Sequence, residues 1–243
     1  MTKFLLDSGD PNEYIEIANL AKNSGSQLWG STTNPSLIAK KLAGKKISQD
    51  EAFRLQKEIV LEILNIVPGA VSAEVYADEE TTAQEMIDQG MQIASWNQRI
   101  FVKLPTSIEG FKARTALRRE KIQVNNTLVF SEQQVFAICL HEKIMQKLYC
   151  PIQNLWPCFI SPFVGRLDDI NEDGMSFIEN SMKMKKQYFE NTPTDAPWML
   201  EASIRRAEHI KRGILANVEI MTVPGKVYKE WLLLTKEQLQ SRL

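Results

Sequence analysis

The segment 70-AVSAEV-75, 79-EETTAQEMIDQGMQIAS-95, 100-IFVK-103 contains two short apolar runs separated by a longer stretch with helical spacing. The outer runs, Ala70–Val75 and Ile100–Lys103, have the length and composition of buried strands. The stretch between them, Glu79–Ser95, has the length and period of a helix. A strand, a helix and a second strand in this order predict a βαβ unit, whose two strands run parallel in one sheet.

The same alternation extends along the whole chain, and we count eight such units. Eight units in 243 residues average about 30 residues each, close to the proportions of a (β/α)8 barrel. The strand candidates are Lys3–Leu6, Gln27–Gly30, Ala70–Val75, Ile100–Lys103, Ile122–Val124, Cys158–Ser161, Met199–Ala202 and Val218–Val223. We therefore predict an α/β protein whose residues 1–243 form one domain, a (β/α)8 TIM barrel. A doubly wound open sheet is the structural alternative, but no Gly-x-Gly-x-x-Gly motif follows the first strand.

Composition and charge argue against several classes of protein. The 29 Lys and Arg and 30 Asp and Glu residues are interspersed, so the chain has no basic stripe for nucleic acid. No apolar run approaches the roughly 20 residues that cross a bilayer, and no signal-peptide pattern is present, so we expect a cytoplasmic protein without a membrane partner. Three cysteines without metal-ligand spacing and two histidines leave little material for a metal site or a Ser-His-Asp triad.

In a (β/α)8 barrel the carboxyl ends of all strands meet at one mouth, where such enzymes place their chemistry. Each predicted strand is followed there by polar or ionisable residues: Asp7, Asn34, Glu74, Lys103, Asn125, Thr127, Ser161, Arg166, Ser203, Arg205 and Thr222. Polar residues are ordinary at the start of a loop. The informative feature is which residue types occur together.

Lys103 is the first candidate for chemistry, because an otherwise apolar strand carries its amine. An uncharged lysine amine attacks ketones to form a Schiff base. Asp7 and Glu74 are carboxylates that could move the protons of such a reaction. The structural alternatives are that Lys103 pairs with a carboxylate, that Glu74 forms an ion pair, and that Asp7 caps a helix beginning near Pro11.

Two arginines and two serines near the ends of the sixth and seventh strands offer a set of donors suited to a phosphate. They are Ser161, Arg166, Ser203 and Arg205. Late strands of barrels often bind phosphate in this region. Arg166 could instead pair with Asp168 or Asp169.

Six motifs resemble those of the transaldolase family, a set of cofactor-free Schiff-base enzymes on the (β/α)8 fold, and they occur in the family's order. The motifs are Thr32-Thr33-Asn34-Pro35-Ser36-Leu37-Ile38, Ser72-Ala73-Glu74-Val75, Val102-Lys103-Leu104-Pro105 with Glu109-Gly110, Val124-Asn125-Asn126-Thr127-Leu128-Val129-Phe130-Ser131, Ile160-Ser161-Pro162-Phe163-Val164-Gly165-Arg166-Leu167-Asp168 and Glu201-Ala202-Ser203-Ile204-Arg205. Together with Asp7 they span residues 7 to 205. Any one of them is a weak signal, but six in register are specific.

The resemblance implies a role for each candidate. Lys103 resembles the Schiff-base lysine, and Asp7 resembles the acid/base that takes the proton of the C4 hydroxyl. Glu74 and Thr127 resemble the pair that orients a catalytic water. The residues that resemble substrate-binding positions are Asn34 and Asn125 for the sugar, and Ser161, Arg166, Ser203 and Arg205 for the phosphate.

The implied reaction moves a dihydroxyacetone unit from sedoheptulose 7-phosphate to glyceraldehyde 3-phosphate in the non-oxidative pentose phosphate pathway, without a metal or organic cofactor. The partners we expect are therefore sugar phosphates, together with further copies of the chain in a homo-oligomer, either a dimer or a larger ring. One alternative is a fructose 6-phosphate aldolase, but that branch resembles a glutamine-bearing site at Glu74 and carries a tyrosine at Phe163. A second alternative is a catalytically silent barrel that binds sugar phosphates.

Overall fold

The computed structural model describes residues 1–41, 47–149, 157–189 and 196–240. Within these residues, eight parallel strands close into a barrel in chain order, with β8 returning to β1. The strands are β1 (Lys3–Asp7), β2 (Leu28–Thr32), β3 (Val71–Glu74), β4 (Ile100–Pro105), β5 (Val124–Val129), β6 (Phe159–Pro162), β7 (Trp198–Glu201) and β8 (Ile220–Val223). The predicted (β/α)8 TIM barrel is therefore confirmed.

Every strand is followed by at least one helix, and β2 and β6 are each followed by two. The helices of the described residues are α1 (Pro11–Asn23), α2 (Pro35–Lys41), α3 (Gln49–Ile66), α4 (Ala83–Ala94), α5 (Ile108–Arg119), α6 (Glu132–Leu148), α7 (Val164–Asp169), α8 (Gly174–Phe189), α9 (Ala207–Leu215) and α10 (Gly225–Gln240). Helix α4 begins at Ala83 and not at the predicted Glu79, because Thr82 and Glu85 form a capping box there. The helices cover the strands with a continuous apolar layer.

The fifth strand is the largest error of the sequence-based boundaries, since the ends of the other strands lie within two residues of the predicted ones. We predicted Ile122–Val124, whereas the strand runs over Val124–Val129. Asn and Thr are frequent in turns, so Asn125 and Thr127 read as the beginning of a loop. In the structure they are buried strand residues, and they are polar because this strand lines the mouth of the barrel.

The barrel interior changes from apolar to polar along the strand direction. Buried apolar side chains form a floor that includes Leu5, Ala70, Phe101, Phe159, Leu200 and Ile220. The rings of Phe101 and Phe159 stack at the centre of this floor, with centroids 4.0 Å apart. Side chains two residues apart share a face of a strand. The residues two positions beyond the floor on five of the strands are all polar: Asp7, Ser72, Lys103, Ser161 and Thr222.

Candidate active site

Lys103 and Glu74 form an ion pair inside the barrel. Strands β3 and β4 place the two residues directly opposite each other, and the Lys103 Nζ lies 2.8 Å from the Glu74 Oε2. Lys103 is only 5% exposed, and Phe101 lies beneath it on the same strand face. Both structural alternatives therefore hold, and the two candidates are each other's partner. The buried amine therefore has a proton acceptor within hydrogen-bond distance, which is the arrangement that nucleophilic attack by a lysine requires.

Asp7 ends β1 at the same level of the mouth. Thr32 on β2 donates a hydrogen bond from its Oγ1 to the Asp7 Oδ1, at 2.8 Å. Burial raises the pKa of the Asp7 carboxyl, and the charge of Lys103 and the hydrogen bond from Thr32 offset only part of that rise. The alternative that Asp7 caps α1 is wrong, because Asp10 accepts from the Asn12 amide and fills that position.

A chain of buried hydroxyl and amide groups crosses the interior beside Lys103. Asn125 donates from its Nδ2 to the Ser72 Oγ at 3.0 Å, and Ser161 donates to the Asn125 Oδ1 at 2.6 Å. Ser72 was not among the predicted site residues, although it lies two positions before Glu74 and so shares its face of β3. These contacts fix the orientation of the Asn125 amide in the pocket wall.

Thr127 lies two residues beyond Asn125 on β5 and is fully buried. Among the described residues, its Oγ1 has no hydrogen-bond partner. A buried hydroxyl without a partner costs about 1–3 kcal/mol, so such groups are usually paired with a water or a ligand. Thr127 therefore provides a free donor and acceptor inside the barrel.

The two candidate arginines lie at the rim and have different partners. The Arg166 guanidinium carbon lies 5.5 Å from the centre of the Phe163 ring, and the Phe163 ring also contacts Phe130 edge-on, with centroids 5.9 Å apart. Arg205 binds both carboxylate oxygens of Asp169, each at 2.6 Å. The alternative partners suggested for Arg166 are thus wrong, since Asp169 pairs with Arg205 and Asp168 lies 3.1 Å from Arg206.

A glycine brings these rim groups together. Gly165 donates its amide hydrogen to the Ser203 carbonyl at 3.1 Å. A Cβ at Gly165 would lie 2.3 Å from the Ser203 oxygen and 2.6 Å from the Arg205 Nε, so only glycine permits this approach. Ser203 itself has a positive φ of 59°. The beginning of α7, which carries Arg166, is thereby held against the loop that carries Ser203 and Arg205.

Asn34 is the predicted site residue with the most evident structural role. It follows β2, and its Oδ1 accepts the Leu37 amide hydrogen at 2.9 Å, as a residue at the beginning of α2 does. The side chain is half-buried. The structure therefore does not join Asn34 directly to the ion pair.

The part of the chain that is described lacks two kinds of feature. No helix there is long and apolar enough to span a membrane. No group of three or more His, Cys, Asp or Glu side chains there is arranged to hold a metal ion. Cys139 and Cys158 are buried free thiols.

Known proteins of one family match nearly the full length of the chain. The profile of the family described as "Transaldolase/Fructose-6-phosphate aldolase" matches residues 4–242. A "probable transaldolase" of Parvibaculum lavamentivorans is 37% identical over 227 residues, which cover 93% of this chain and 87% of that protein. A "probable transaldolase" of Prosthecochloris aestuarii is 35% identical over 228 residues, covering 94% and 89%. One of Herpetosiphon aurantiacus is 37% identical over 228 residues, covering 94% and 86%.

Proposed function

The chain belongs to the transaldolase/fructose-6-phosphate aldolase family, and we propose that it is a transaldolase acting through a Schiff base on Lys103. It transfers a dihydroxyacetone unit from sedoheptulose 7-phosphate to glyceraldehyde 3-phosphate, and it needs no metal or organic cofactor. The observation that carries the proposal is the buried Lys103 amine, 2.8 Å from Glu74 above an apolar floor. The pentose phosphate pathway, the cytoplasm and a homo-oligomeric assembly stay predictions.

The first half of the reaction forms the Schiff base. Lys103 passes a proton to Glu74, and its free electron pair attacks the C2 ketone of the donor sugar. The resulting carbinolamine takes up a proton on its hydroxyl and loses water, which leaves an iminium ion on Lys103. Glu74 and the hydroxyl of Thr127 are suited to hold that water, because the Glu74 carboxylate contacts the amine and the buried Thr127 Oγ1 has no partner among the described residues.

Asp7 then serves as the base for carbon–carbon cleavage. Its carboxylate takes the proton of the C4 hydroxyl, the C3–C4 bond breaks, and the electron pair enters the C2–C3 bond to give an enamine. Erythrose 4-phosphate leaves as the aldehyde. The enamine attacks the aldehyde carbon of glyceraldehyde 3-phosphate, Asp7 returns the proton to the new hydroxyl, and hydrolysis of the iminium releases fructose 6-phosphate.

The remaining site residues bind the substrate. Arg166 and Arg205 supply the positive charge for the phosphate group, and Arg205 exchanges its two bonds to Asp169 for bonds to phosphate oxygens. Ser203 adds a hydroxyl donor on the same side, whereas Ser161 uses its hydrogen toward Asn125 and keeps an acceptor there. Asn34 and Asn125 hydrogen-bond to sugar hydroxyls, and the second of these amides is already oriented by Ser72 and Ser161.

A fructose 6-phosphate aldolase is the second candidate, because the matching family includes both activities. Glu74 and Phe163 favour the transferase, since the aldolase branch resembles sites with glutamine and tyrosine there. A phenol at position 163 would add a proton donor near the catalytic water and so favour hydrolytic release. We expect Phe163→Tyr to raise the ratio of aldolase to transferase activity while the Schiff base stays intact.

A coupled assay with sedoheptulose 7-phosphate, with and without glyceraldehyde 3-phosphate, tests the proposal. We expect turnover only with both sugars, and little dihydroxyacetone release from fructose 6-phosphate alone. Rapid release without an acceptor would assign the aldolase activity. Binding of sugar phosphates without any turnover would identify a silent barrel.

A further inference from the structure

Thr222 on β8 is a buried polar residue to which the mechanism above gives no role. It is 3% exposed and lies two residues beyond Ile220 of the apolar floor. Its Oγ1 is 2.6 Å from the Oγ1 of Thr32, which in turn is 2.8 Å from the Asp7 Oδ1. Three side chains from three strands are thus joined in one line that ends at the proposed base.

The strand order explains how these residues meet. β1 lies between β2 and β8 in the barrel, with Asp7 opposite Thr32 and Leu5 opposite Thr222. Thr32 and Thr222 therefore flank the end of β1 from its two sides and meet inside the barrel. Both hydroxyls are buried, so water does not compete freely for them.

The number of hydroxyl hydrogens determines which group donates in each of these two hydrogen bonds. An ionised carboxylate can only accept, so the single hydrogen of the Thr32 hydroxyl is used toward Asp7. The hydrogen between Thr32 and Thr222 must then belong to Thr222, which donates to the Thr32 oxygen. Hydrogen bonds in such a chain polarise one another, so Thr222 strengthens the bond that Thr32 makes to Asp7.

We propose that Thr222 is a positioning residue for the reaction, which acts through Thr32 to hold the Asp7 carboxylate in its ionised and correctly rotated form. The bond at Oδ1 fixes the carboxylate plane and leaves Oδ2 to exchange the proton with the C4 hydroxyl. This inference rests on the proposed function, because it assumes that Asp7 is the base of that reaction.

The electrostatic surroundings of Asp7 make such support useful. The charged groups that act on it are Lys103 on β4, Glu74 on β3 and Lys40 on α2. Burial and the charge of Glu74 raise the pKa of Asp7, whereas the two lysines and the hydrogen bond from Thr32 lower it. A change at Thr222 leaves all three charged groups in place and alters only the hydrogen bond.

The test compares Thr222→Val, which keeps the shape but lacks the hydroxyl, with Thr222→Ser, which keeps the hydroxyl. We expect Thr222→Val to lower kcat about five- to ten-fold with little change in KM, the effect of losing one hydrogen bond. Its acid limb in the pH profile of kcat should move to higher pH, because Asp7 loses support for its ionised form. Thr222→Ser should retain the kcat and acid limb of the parent enzyme.

Ser181→Ala controls for the loss of a buried hydroxyl as such, because it removes one from α8, outside the barrel interior. If Thr222→Val does not fold, Thr222→Ala against Thr222→Ser makes the same comparison, since these two differ only in the hydroxyl. Equal profiles for the variants with and without the hydroxyl would overturn the proposal and leave Thr222 a packing residue. Trapping of Lys103 by borohydride in each variant reports the Schiff base separately, so failure of the proposed function itself is recognised by absent trapping in the parent enzyme.

Discussion

Two buried groups of charged side chains lie on opposite sides of the barrel wall, and they differ in how completely their hydrogen bonds are made. Outside the barrel, between α5 and α6, Glu142 accepts from Arg114 at 2.6 Å and from Arg118 at 2.7 Å. Inside it, the Lys103 amine can donate three hydrogen bonds and donates one to the described residues, the bond to Glu74. Both carboxylate oxygens of Glu142 are paired with a guanidinium group, whereas the Lys103 amine keeps capacity for a ligand.

Burial also affects the pKa of two carboxylates differently: Glu142 in the outer group, and Asp7, which lies at the same level of the barrel mouth as the inner pair. At Glu142, burial acts to raise the pKa, but the two guanidinium groups outweigh it and hold the pKa below its usual range. At Asp7, burial prevails and the pKa is raised despite the charge of Lys103. A carboxylate held permanently ionised by two arginines has a structural role. A carboxylate such as Asp7, which no pair of arginines holds ionised, can take up a proton and return it.

Lys103→Met should give the largest change in activity. It removes the proposed nucleophile but keeps a long side chain above Phe101, so we expect a loss of kcat/KM on the order of 10⁴-fold or more. The free energy of unfolding should fall by less than about 2 kcal/mol, because Glu74 is left at the open mouth and can reach water. The coupled assay and denaturant titration measure the two quantities. Retained activity would contradict the assignment of Lys103.

Glu142→Ala should show the opposite pattern, with a large effect on stability. It removes the carboxylate that both buried guanidinium groups bind, and breaking a buried ion pair in this way costs roughly 3–5 kcal/mol. The fraction that remains folded should keep its kcat. Denaturant unfolding measures the change, and Glu62→Gln, at an exposed glutamate of α3, should shift stability by less than about 0.5 kcal/mol. A loss of kcat in the folded protein would show that the outer group supports the site.

Arg166→Ala and Arg205→Ala test whether the rim arginines bind phosphate or only support the fold. A charge-assisted bond contributes on the order of 1.5–3 kcal/mol, so each change should weaken use of phosphorylated substrates roughly 10- to 100-fold. An unphosphorylated analogue should lose much less. The comparison of kcat/KM on the two substrates is the measurement, with Arg54→Ala, on the exposed face of α3, as the control. Equal losses on both substrates would assign these arginines to the fold.

Glu201 is buried like Glu142, yet its carboxylate oxygens have no hydrogen-bond partner among the described residues. Burial raises its pKa well above the usual value, and the charge of Arg212 only partly opposes this. Because this pKa is higher in the folded than in the unfolded chain, stability should decrease as the pH rises from the ordinary range of a glutamate toward the raised pKa.

Glu201→Gln removes this titration, so its stability relative to the parent should be greater at pH 8 than at pH 4. Denaturant unfolding at the two pH values measures the difference. A difference that does not depend on pH would mean that Glu201 is ionised in the folded protein.

Sequence reasoning predicted the residues that share the interior of the mouth better than it predicted their partners. Asp7, Glu74 and Lys103 could be placed because strand ends and a period of two determine which side chains face inward. That Asp169 pairs with Arg205 and not with Arg166 depends on distances between segments far apart in the sequence. The line from Thr222 through Thr32 to Asp7 depends on the barrel closing between β8 and β1, which no local pattern indicates.

Chemical trapping of Lys103 is the most direct test of the proposed Schiff base. The enzyme is incubated with fructose 6-phosphate and borohydride, which reduces a Schiff base to a stable amine, and its peptides are analysed by mass spectrometry. We expect a dihydroxyacetone adduct on Lys103 and on no other lysine. An adduct on a different lysine, or an active enzyme that forms no adduct, would contradict it.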